Sequence, residues 1–352
     1  MLTDIFANRY SSVVWVSYDE PERRLMIQCF RIIKEQLFPN EKNINWEKTH
    51  DKLSMELGLK ELSERGFFYP TTYNGVTNNH YSSYSIEKIG ENFVCEKYEG
   101  AVTPDRFMKE RLSFIELAFR AREEELFDIN SSLSTRIIED DIRLSRKRSI
   151  SGGKRIGVSS ATNASSIGSR LRAGNKEVND NFISSVDELN ERLRQAGTNL
   201  NYHNGFIQIS DDPLVEEQIE REFWHIVSDV MWKNVDTDMK EAIDRRDGNQ
   251  KDPVFYAARA LESTIKIISE NKGWTNGKEK GAHSFIDNLG SKSNGNFITS
   301  WERNSLKAFF TEIRNPVGHG SGSDEIIELS AEQTNWAIET CMSWVKSLVK
   351  RT

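Results

Sequence analysis

The sequence predicts a mainly α-helical protein with two helical domains, the second of which is preceded by a β-hairpin. Apolar residues recur at helical spacing in both parts of the chain. The 352 residues are enough for about two separate cores. A middle segment poor in large apolar side chains lies between them. We therefore expect a first domain over 1–128, a flexible basic linker over 129–185, and a second domain over 186–352 that begins with the hairpin.

The first 128 residues are expected to be mostly helical. Apolar side chains at helical spacing predict helices over 22–37 and 46–66. A stretch rich in Tyr and Asn, 69–84, is predicted to be loop, and 92–98 has the character of a strand. Pro104 is typical of the first turn of a helix and predicts that another one begins there.

The expected linker is rich in Ser, Gly, Asn and basic residues, so it cannot bury enough apolar area to offset chain entropy. Between Ile142 and Lys176 there are nine Lys or Arg and no Asp or Glu. Two interpretations stay open: the segment follows a phosphate backbone, or it is a solubilising tether. The candidate RNA-binding side chains are Arg146, Lys147, Arg148, Lys154 and Arg155.

The second domain is expected to be a helical bundle behind a tight hairpin. Asn204-Gly205 lies between two alternating runs and is the pair that a two-residue type I′ turn requires. Proline positions, caps and apolar spacing then predict a series of helices. They are expected at 213–230, 236–245, 252–268, 301–313 and 330–348.

Bulk composition narrows the function classes. A net charge of −7 argues against an indiscriminate nucleic-acid binder, which would be basic overall. No stretch approaches the roughly 18 apolar residues of a membrane span, and the first ten residues do not resemble a secretory signal. Three widely spaced cysteines indicate reduced thiols in a cytoplasmic protein, and no His, Cys or acidic cluster has metal-ligand spacing. We expect no metal and no cofactor.

One constellation carries chemistry: Arg314, Asn315 and His319 in the segment EIRNPVGHGSG. Pro316 and the glycines around His319 break the helix, which would let Arg314 and His319 converge although they are five residues apart. RNA can be cut without metal if its own 2′-hydroxyl attacks the neighbouring phosphate. That reaction needs a proton donor or acceptor with a pKa near neutrality, as histidine has, and a fixed cation such as arginine for the phosphate charge. The alternative is a helix C-terminus with a surface Arg and a turn His.

The last 140 residues resemble a HEPN domain (higher eukaryotes and prokaryotes nucleotide-binding), a helical bundle whose signature is Arg, four to six residues, then His. Here the match is Arg314, Asn315 and His319, and the hairpin with Ala260–Lys266 resembles the subgroup found in bacterial abortive-infection proteins. The first third, with DIFANRY and EPERRLMIQCFRII, resembles the N-terminal domain of AbiJ-type phage-defence proteins.

These resemblances imply a metal-independent endoribonuclease that is the toxic effector of antiviral abortive infection and shuts down translation. They imply RNA as substrate and a homodimer or higher homo-oligomer through the HEPN domain, with two motifs in one cleft. They also imply a phage-derived or nucleotide trigger at the N-terminal domain. Arg314 would stabilise the phosphate charge, His319 would be the general acid or base, and Asn315 would orient either.

Further residues have two interpretations each. Glu262 and Lys266, with Arg259, line the cleft or form an ordinary surface ion pair. Trp336 and Trp344, like Trp224 and Trp232, are interpreted as core or dimer interface. Two rival functions stay open: a non-catalytic HEPN module that binds RNA or scaffolds a defence complex, and an antitoxin-like partner that dimerises through Trp336 and Trp344.

Overall fold

The computed structural model describes residues 5–10, 13–73, 76–150, 160–209, 219–248, 250–314 and 329–352. The chain forms two compact units. The N-terminal unit is built mainly from residues 12–208 and the C-terminal unit mainly from residues 209–352. Both consist chiefly of helices, which confirms the predicted mainly α fold. Among the described helices, none is long and apolar enough to span a bilayer.

The N-terminal unit contains six helices and two hairpins among its described residues. The elements in chain order are α1 Phe6–Arg9, α2 Glu20–Ile32, α3 Ile44–Leu57, β1 Gly66–Tyr73, β2 Val76–Ser83, α4 Ile86–Val94, α5 Pro104–Ile150, α6 Ser160–Gln195, β3 Leu200–His203 and β4 Phe206–Ile209. A π-helical turn, Ile33–Leu37, extends α2. The start of α5 at Pro104 is the one predicted from the sequence.

An aromatic cluster forms the centre of this unit. Trp46 of α3 packs against Phe30 of α2 and against Phe38, at ring-centroid distances of 5.7 and 5.1 Å. Phe114 of α5 joins the cluster at 6.4 Å from both Phe30 and Phe93. All five rings are buried, so α2, α3, α4 and α5 share one apolar core.

Two predictions in this unit are wrong. The stretch 69–84, predicted as loop, belongs mostly to the antiparallel hairpin β1–β2. The segment 92–98, predicted as strand, lies partly in α4, which Ser85 caps by accepting a hydrogen bond from the Lys88 amide. The short apolar run Phe93–Cys95 resembles a strand when it is considered alone. The helix that contains most of it is started by the Ser85 cap, eight residues earlier.

The expected flexible linker also differs from the structure. Its described residues are helical, in α5 up to Ile150 and in α6 from Ser160. Asn130 of α5 bonds to Asn175 and Asn179 of α6 at 2.8 and 3.0 Å, so polar side chains join the two helices. The compact units divide at 208/209, whereas the sequence analysis placed a boundary at 185/186.

The hairpin β3–β4 precedes the C-terminal unit, as predicted, but it packs within the N-terminal one. Asn204 and Gly205 have φ of 42° and 92°, the left-handed pair that a type I′ turn requires. Glu116 of α5 is fully buried and accepts hydrogen bonds from Arg120 and from the Ile207 amide, both at 2.8 Å. Arg120 also donates to the Gly205 carbonyl at 2.8 Å, so a buried ion pair holds the turn against α5.

The C-terminal unit is a helical bundle around one long helix. Its described elements are α7 Arg221–Val227, α8 Lys233–Asp247, α9 Pro253–Asn271, α10 Ala282–Leu289, α11 Ser300–Phe309 and α12 Ala331–Val349, with a π-helical turn at Phe310–Arg314. Helix α9 packs against α8, α10 and α12. The predicted helix start at Pro213 lies outside the described residues, and α10 was not predicted.

Local signals place the ends of these helices. Thr299 with Glu302, and Ser330 with Gln333, form capping boxes at the starts of α11 and α12; the second was predicted. Asp252 precedes α9 as expected, but with φ of 64° and no side-chain hydrogen bond, so the predicted start is right and the cap mechanism is wrong. The core between the helices is mainly apolar and centres on α9 and α12.

Candidate functional site

Arg314 lies in the π-helical turn Phe310–Arg314, which directly follows α11. Single π turns are costly interruptions of a helix and recur at functional sites. Phe310 is buried in the bundle core, which anchors the turn, whereas the Arg314 side chain is 21% exposed. The first residue of the predicted motif is therefore fixed by packing at the surface of the C-terminal unit.

Arg314 rests against one face of α9. Phe255, Arg259, Glu262 and Lys266 are spaced by four, three and four residues, so their side chains share that face. The Arg314 guanidinium carbon lies 5.4 Å from the centre of the Phe255 ring. Its Nη2 lies 3.7 Å from Oε2 of Glu262. The structure thus brings together Arg314 and Glu262, which lie 52 residues apart in the chain.

Glu262 is the negative centre of this face. Its carboxylate is nearly buried and bonds Lys266 Nζ through Oε1 at 2.8 Å, while Oε2 faces Arg314. Two cations therefore share one carboxylate. The pair is more than a solvated i,i+4 contact, because the second cation comes from another element. Lys266 Nζ also lies 5.7 Å from the centre of the Phe285 ring and is 40% exposed, so it can reach a ligand.

Arg259 continues the same face one turn towards the start of α9. It pairs with Asp238 of α8 at 2.5 Å, and this hydrogen bond raises the pKa of the Arg259 guanidinium. Its guanidinium carbon lies 4.6 Å from the centre of the Tyr256 ring, and that of Arg245 lies 4.3 Å from the same ring. Each cation is within the distance of a favourable cation–π contact.

Four residues of this site were predicted from the sequence: Arg259, Glu262, Lys266 and Arg314. Phe255, Tyr256 and Asp238 were not predicted as site residues. The two aromatic residues had a signal, since they precede Arg259 by one helical turn on α9. Asp238 had none, because its contact with Arg259 joins two different helices. Aromatic rings beneath guanidinium groups restrict their motion and leave the charged edges available.

Several predicted site residues cannot be placed in the same way. Asn315 and His319 lie outside the described residues, as do Lys154 and Arg155 of the basic segment. Helix α5 includes Arg146, Lys147 and Arg148. Among the described residues, no three or more His, Cys, Asp or Glu side chains are grouped as metal ligands would be.

The four tryptophans interpreted from the sequence as core or dimer interface form a buried pair and a pair at a surface groove. Trp224 and Trp232 are buried, in agreement with a core role. Trp336 and Trp344 of α12, together with Trp301 of α11, instead line a shallow groove of about 440 Å³ at the surface of the C-terminal unit. Trp301 and Trp336 are 66% and 55% exposed, so these two rings are not part of the core.

Two family models match the chain, one after the other. The AbiJ N-terminal domain 4 matches residues 4–225, which include the β3–β4 hairpin, and the HEPN-like domain Abi_C matches residues 233–352. No curated protein and no solved structure matches the chain. An abortive-infection domain followed by a HEPN-like domain makes this a defence-related HEPN protein. Because the first model spans more than half of the residues, the chain belongs to the AbiJ N-terminal domain 4 family, with a HEPN-like domain in its C-terminal part.

Proposed function

We propose that the C-terminal unit is a metal-independent endoribonuclease and the toxic effector of anti-phage abortive infection. The observation that carries the proposal is the position of Arg314. Its guanidinium is held between Phe255 and Glu262 on the cation-bearing face of α9, immediately before Asn315 and His319 in the chain. A fixed guanidinium is suited to recognise phosphate oxygens, because its planar fork donates two hydrogen bonds at once.

In the proposed reaction, the 2′-hydroxyl of a nucleotide attacks the phosphorus atom of the neighbouring phosphodiester. The O2′–P bond forms and the P–O5′ bond breaks, leaving a 2′,3′-cyclic phosphate and a 5′-hydroxyl. His319 is the general base or acid, since histidine is the side chain whose ordinary pKa lies near neutrality and it can therefore move the proton. Arg314 stabilises the negative charge that builds up on the phosphate oxygens, and Asn315 orients the imidazole or a phosphate oxygen.

The other residues of the α9 face have supporting roles in this proposal. Glu262 positions Arg314 through the 3.7 Å contact, without touching the RNA. Lys266 and Arg259 lie seven residues apart, about 10 Å along the helix, and line the cleft on either side of Glu262. Both are well exposed, at 40% and 45%, and would hold the phosphates that flank the scissile one.

The proposed assembly and setting follow from the family resemblance. We infer a cytoplasmic homodimer, or a higher homo-oligomer, in which two HEPN-like domains place their motifs in one cleft. The N-terminal domain would hold the nuclease inactive until it meets a phage-derived or nucleotide trigger.

Cleavage by the purified full-length chain tests the proposal. A labelled single-stranded RNA is incubated with the protein in excess EDTA, and products are counted on a denaturing gel. We expect cleavage in chelator. His319→Ala should lose about 10²–10⁴-fold, the contribution typical of a positioned acid or base, and Arg314→Ala about 10²–10³-fold, as for removal of one stabilising donor. Arg303→Ala is the matched control: it removes an arginine from α11 that pairs with Asp287 instead.

The outcomes separate the rival functions. RNA that shifts in a native gel but stays intact under all conditions would indicate the non-catalytic binding or scaffolding module. Cleavage that disappears in EDTA would indicate a metal nuclease. Equal loss of activity in Arg303→Ala and Arg314→Ala would remove the special role assigned to Arg314.

A further inference from the structure

The hairpin β1–β2 of the N-terminal unit is exposed on both of its faces. Phe68, Tyr73 and Tyr81 are 73%, 78% and 53% exposed. Opposite rings pair across the strands, with Phe68 5.1 Å from Tyr81 and Tyr69 stacked on His80 at 5.6 Å. Ring pairs fix the twist and register of the hairpin, but in this structure they do not bury it against a core.

The hairpin also carries no formal charge at neutral pH. From Gly66 to Ser85 the sequence contains no Asp, Glu, Lys or Arg, whereas the whole chain has a net charge of −7. Natural proteins protect a long exposed strand edge with charges, proline or a covering segment. An uncharged aromatic edge on an acidic protein therefore needs an explanation.

Only one of the two edges is protected. Pro70 of β1 has no amide hydrogen, so it takes a position that faces away from the β2 strand. It interrupts the outer edge of β1. Pro70 pairs with Asn79, so these two residues form a pair without hydrogen bonds between the strands, and the Asn79 amide also points outward. Because the two kinds of pair alternate along a strand, the amides of Thr77, Asn79 and Tyr81 all lie on the outer edge of β2. Those three residues are exposed, and the described sheet contains β1 and β2 alone.

We propose that the outer edge of β2 pairs with the same edge of a second copy of this chain, giving a four-stranded sheet β1–β2–β2′–β1′. The surface is self-complementary, as a two-fold contact requires. The hairpin brings no Asp, Glu, Lys or Arg side chain to the contact, so no like charges of these residues lie opposite each other across it. Centred on Asn79, the two strands would exchange about six main-chain hydrogen bonds. Pro70 at both outer edges interrupts further strand pairing, so the sheet ends at four strands.

This contact is independent of the proposed nuclease and of its expected HEPN dimer, and a pair of proline variants tests it. Asn79→Pro removes an outward amide from the β2 edge without removing a bond between β1 and β2. Thr72→Pro makes the same change at an equivalent register position of β1, whose edge Pro70 already interrupts. Self-association of the full-length chain is measured by sedimentation equilibrium over a wide concentration range.

We expect Asn79→Pro to weaken self-association at least about tenfold, since each dimer loses hydrogen bonds from both copies. Thr72→Pro should match the native chain. Trp336→Ala, on α12 of the C-terminal unit, is measured beside them: loss of association in this variant, with none in Asn79→Pro, would assign self-association to the C-terminal unit and overturn the proposal. A native chain that associates no better than Asn79→Pro overturns the proposal, and so does equal weakening by both prolines. Association of the native hairpin only with a different protein also overturns it.

Discussion

Glu262→Gln removes the charge that Arg314 and Lys266 share and keeps the shape of the side chain. At 3.7 Å and an effective dielectric constant of about 20, the attraction between the Glu262 carboxylate and the Arg314 guanidinium is about 4 kcal/mol before screening. Since Arg314 is partly open to water, the attraction lies between this value and the roughly 1 kcal/mol of bulk water, and we expect about 1.5–3 kcal/mol to remain. If that energy orients Arg314 in the transition state, kcat falls roughly 10- to 150-fold.

Steady-state cleavage kinetics and RNA affinity together check this expectation. RNA should bind Glu262→Gln at least as tightly as the native chain, because a negative charge near the phosphate is removed. The loss should therefore appear in kcat and not in KM. Glu270→Gln is the matched control, an exposed glutamate of the same helix with the same change of charge. Unchanged kcat in Glu262→Gln, or an equal loss in the control, would refute the positioning role.

Three further predictions concern stability and thiol chemistry. Glu116→Ala should cost about 3–5 kcal/mol in chemical denaturation, because the buried Arg120 guanidinium loses its carboxylate; a loss below about 1 kcal/mol would contradict the clamp. Burial alone would raise the pKa of the Glu302 carboxyl. Hydrogen bonds, chiefly the one from Arg351, outweigh burial and hold this pKa below its usual value. The ionised Glu302 carboxylate therefore stabilises the fold above about pH 4.3, and this stabilisation is lost as the pH falls through the pKa of the folded state. Glu302→Gln should make the free energy of unfolding less dependent on pH in the acid range. An unchanged dependence would contradict this prediction. Burial raises the pKa of Cys95 to about 11, so alkylation of this thiol at pH 8 should be far slower than that of a free cysteine, and a rate equal to it would be inconsistent with the structure.

Two asparagine–glycine pairs show where sequence reasoning succeeds and where it stops. Asn204-Gly205 was recognised as a turn because the flanking residues alternate between apolar and polar. Asn74-Gly75 is the same dipeptide, between strands that pair Tyr73 with Val76. Its flanks are exposed on both faces and include Pro70, so no apolar alternation marked them as strands. Strands that are exposed on both faces do not carry the pattern of a core strand.

The helical continuation of α5 and α6 was missed for a different reason. Apolar periodicity is weak in that stretch, and the contacts that join the helices there include hydrogen bonds among Asn130, Asn175 and Asn179. Polar contacts between distant segments leave no periodic trace in a sequence. Within the candidate site, spacing along α9 pointed to Glu262 and Lys266, but the approach of Arg314 from another element required the fold.

The chemical nature of the RNA ends tests the central claim most directly. RNA cut by the purified chain in excess EDTA is analysed by mass spectrometry and by its response to polynucleotide kinase. Attack by the 2′-hydroxyl leaves a 2′,3′-cyclic phosphate and a 5′-hydroxyl, and the account predicts these ends, formed at least about 10²-fold more slowly by Arg314→Ala and His319→Ala. Fragments with 5′-phosphate and 3′-hydroxyl ends, or RNA left whole by the active chain, would contradict it.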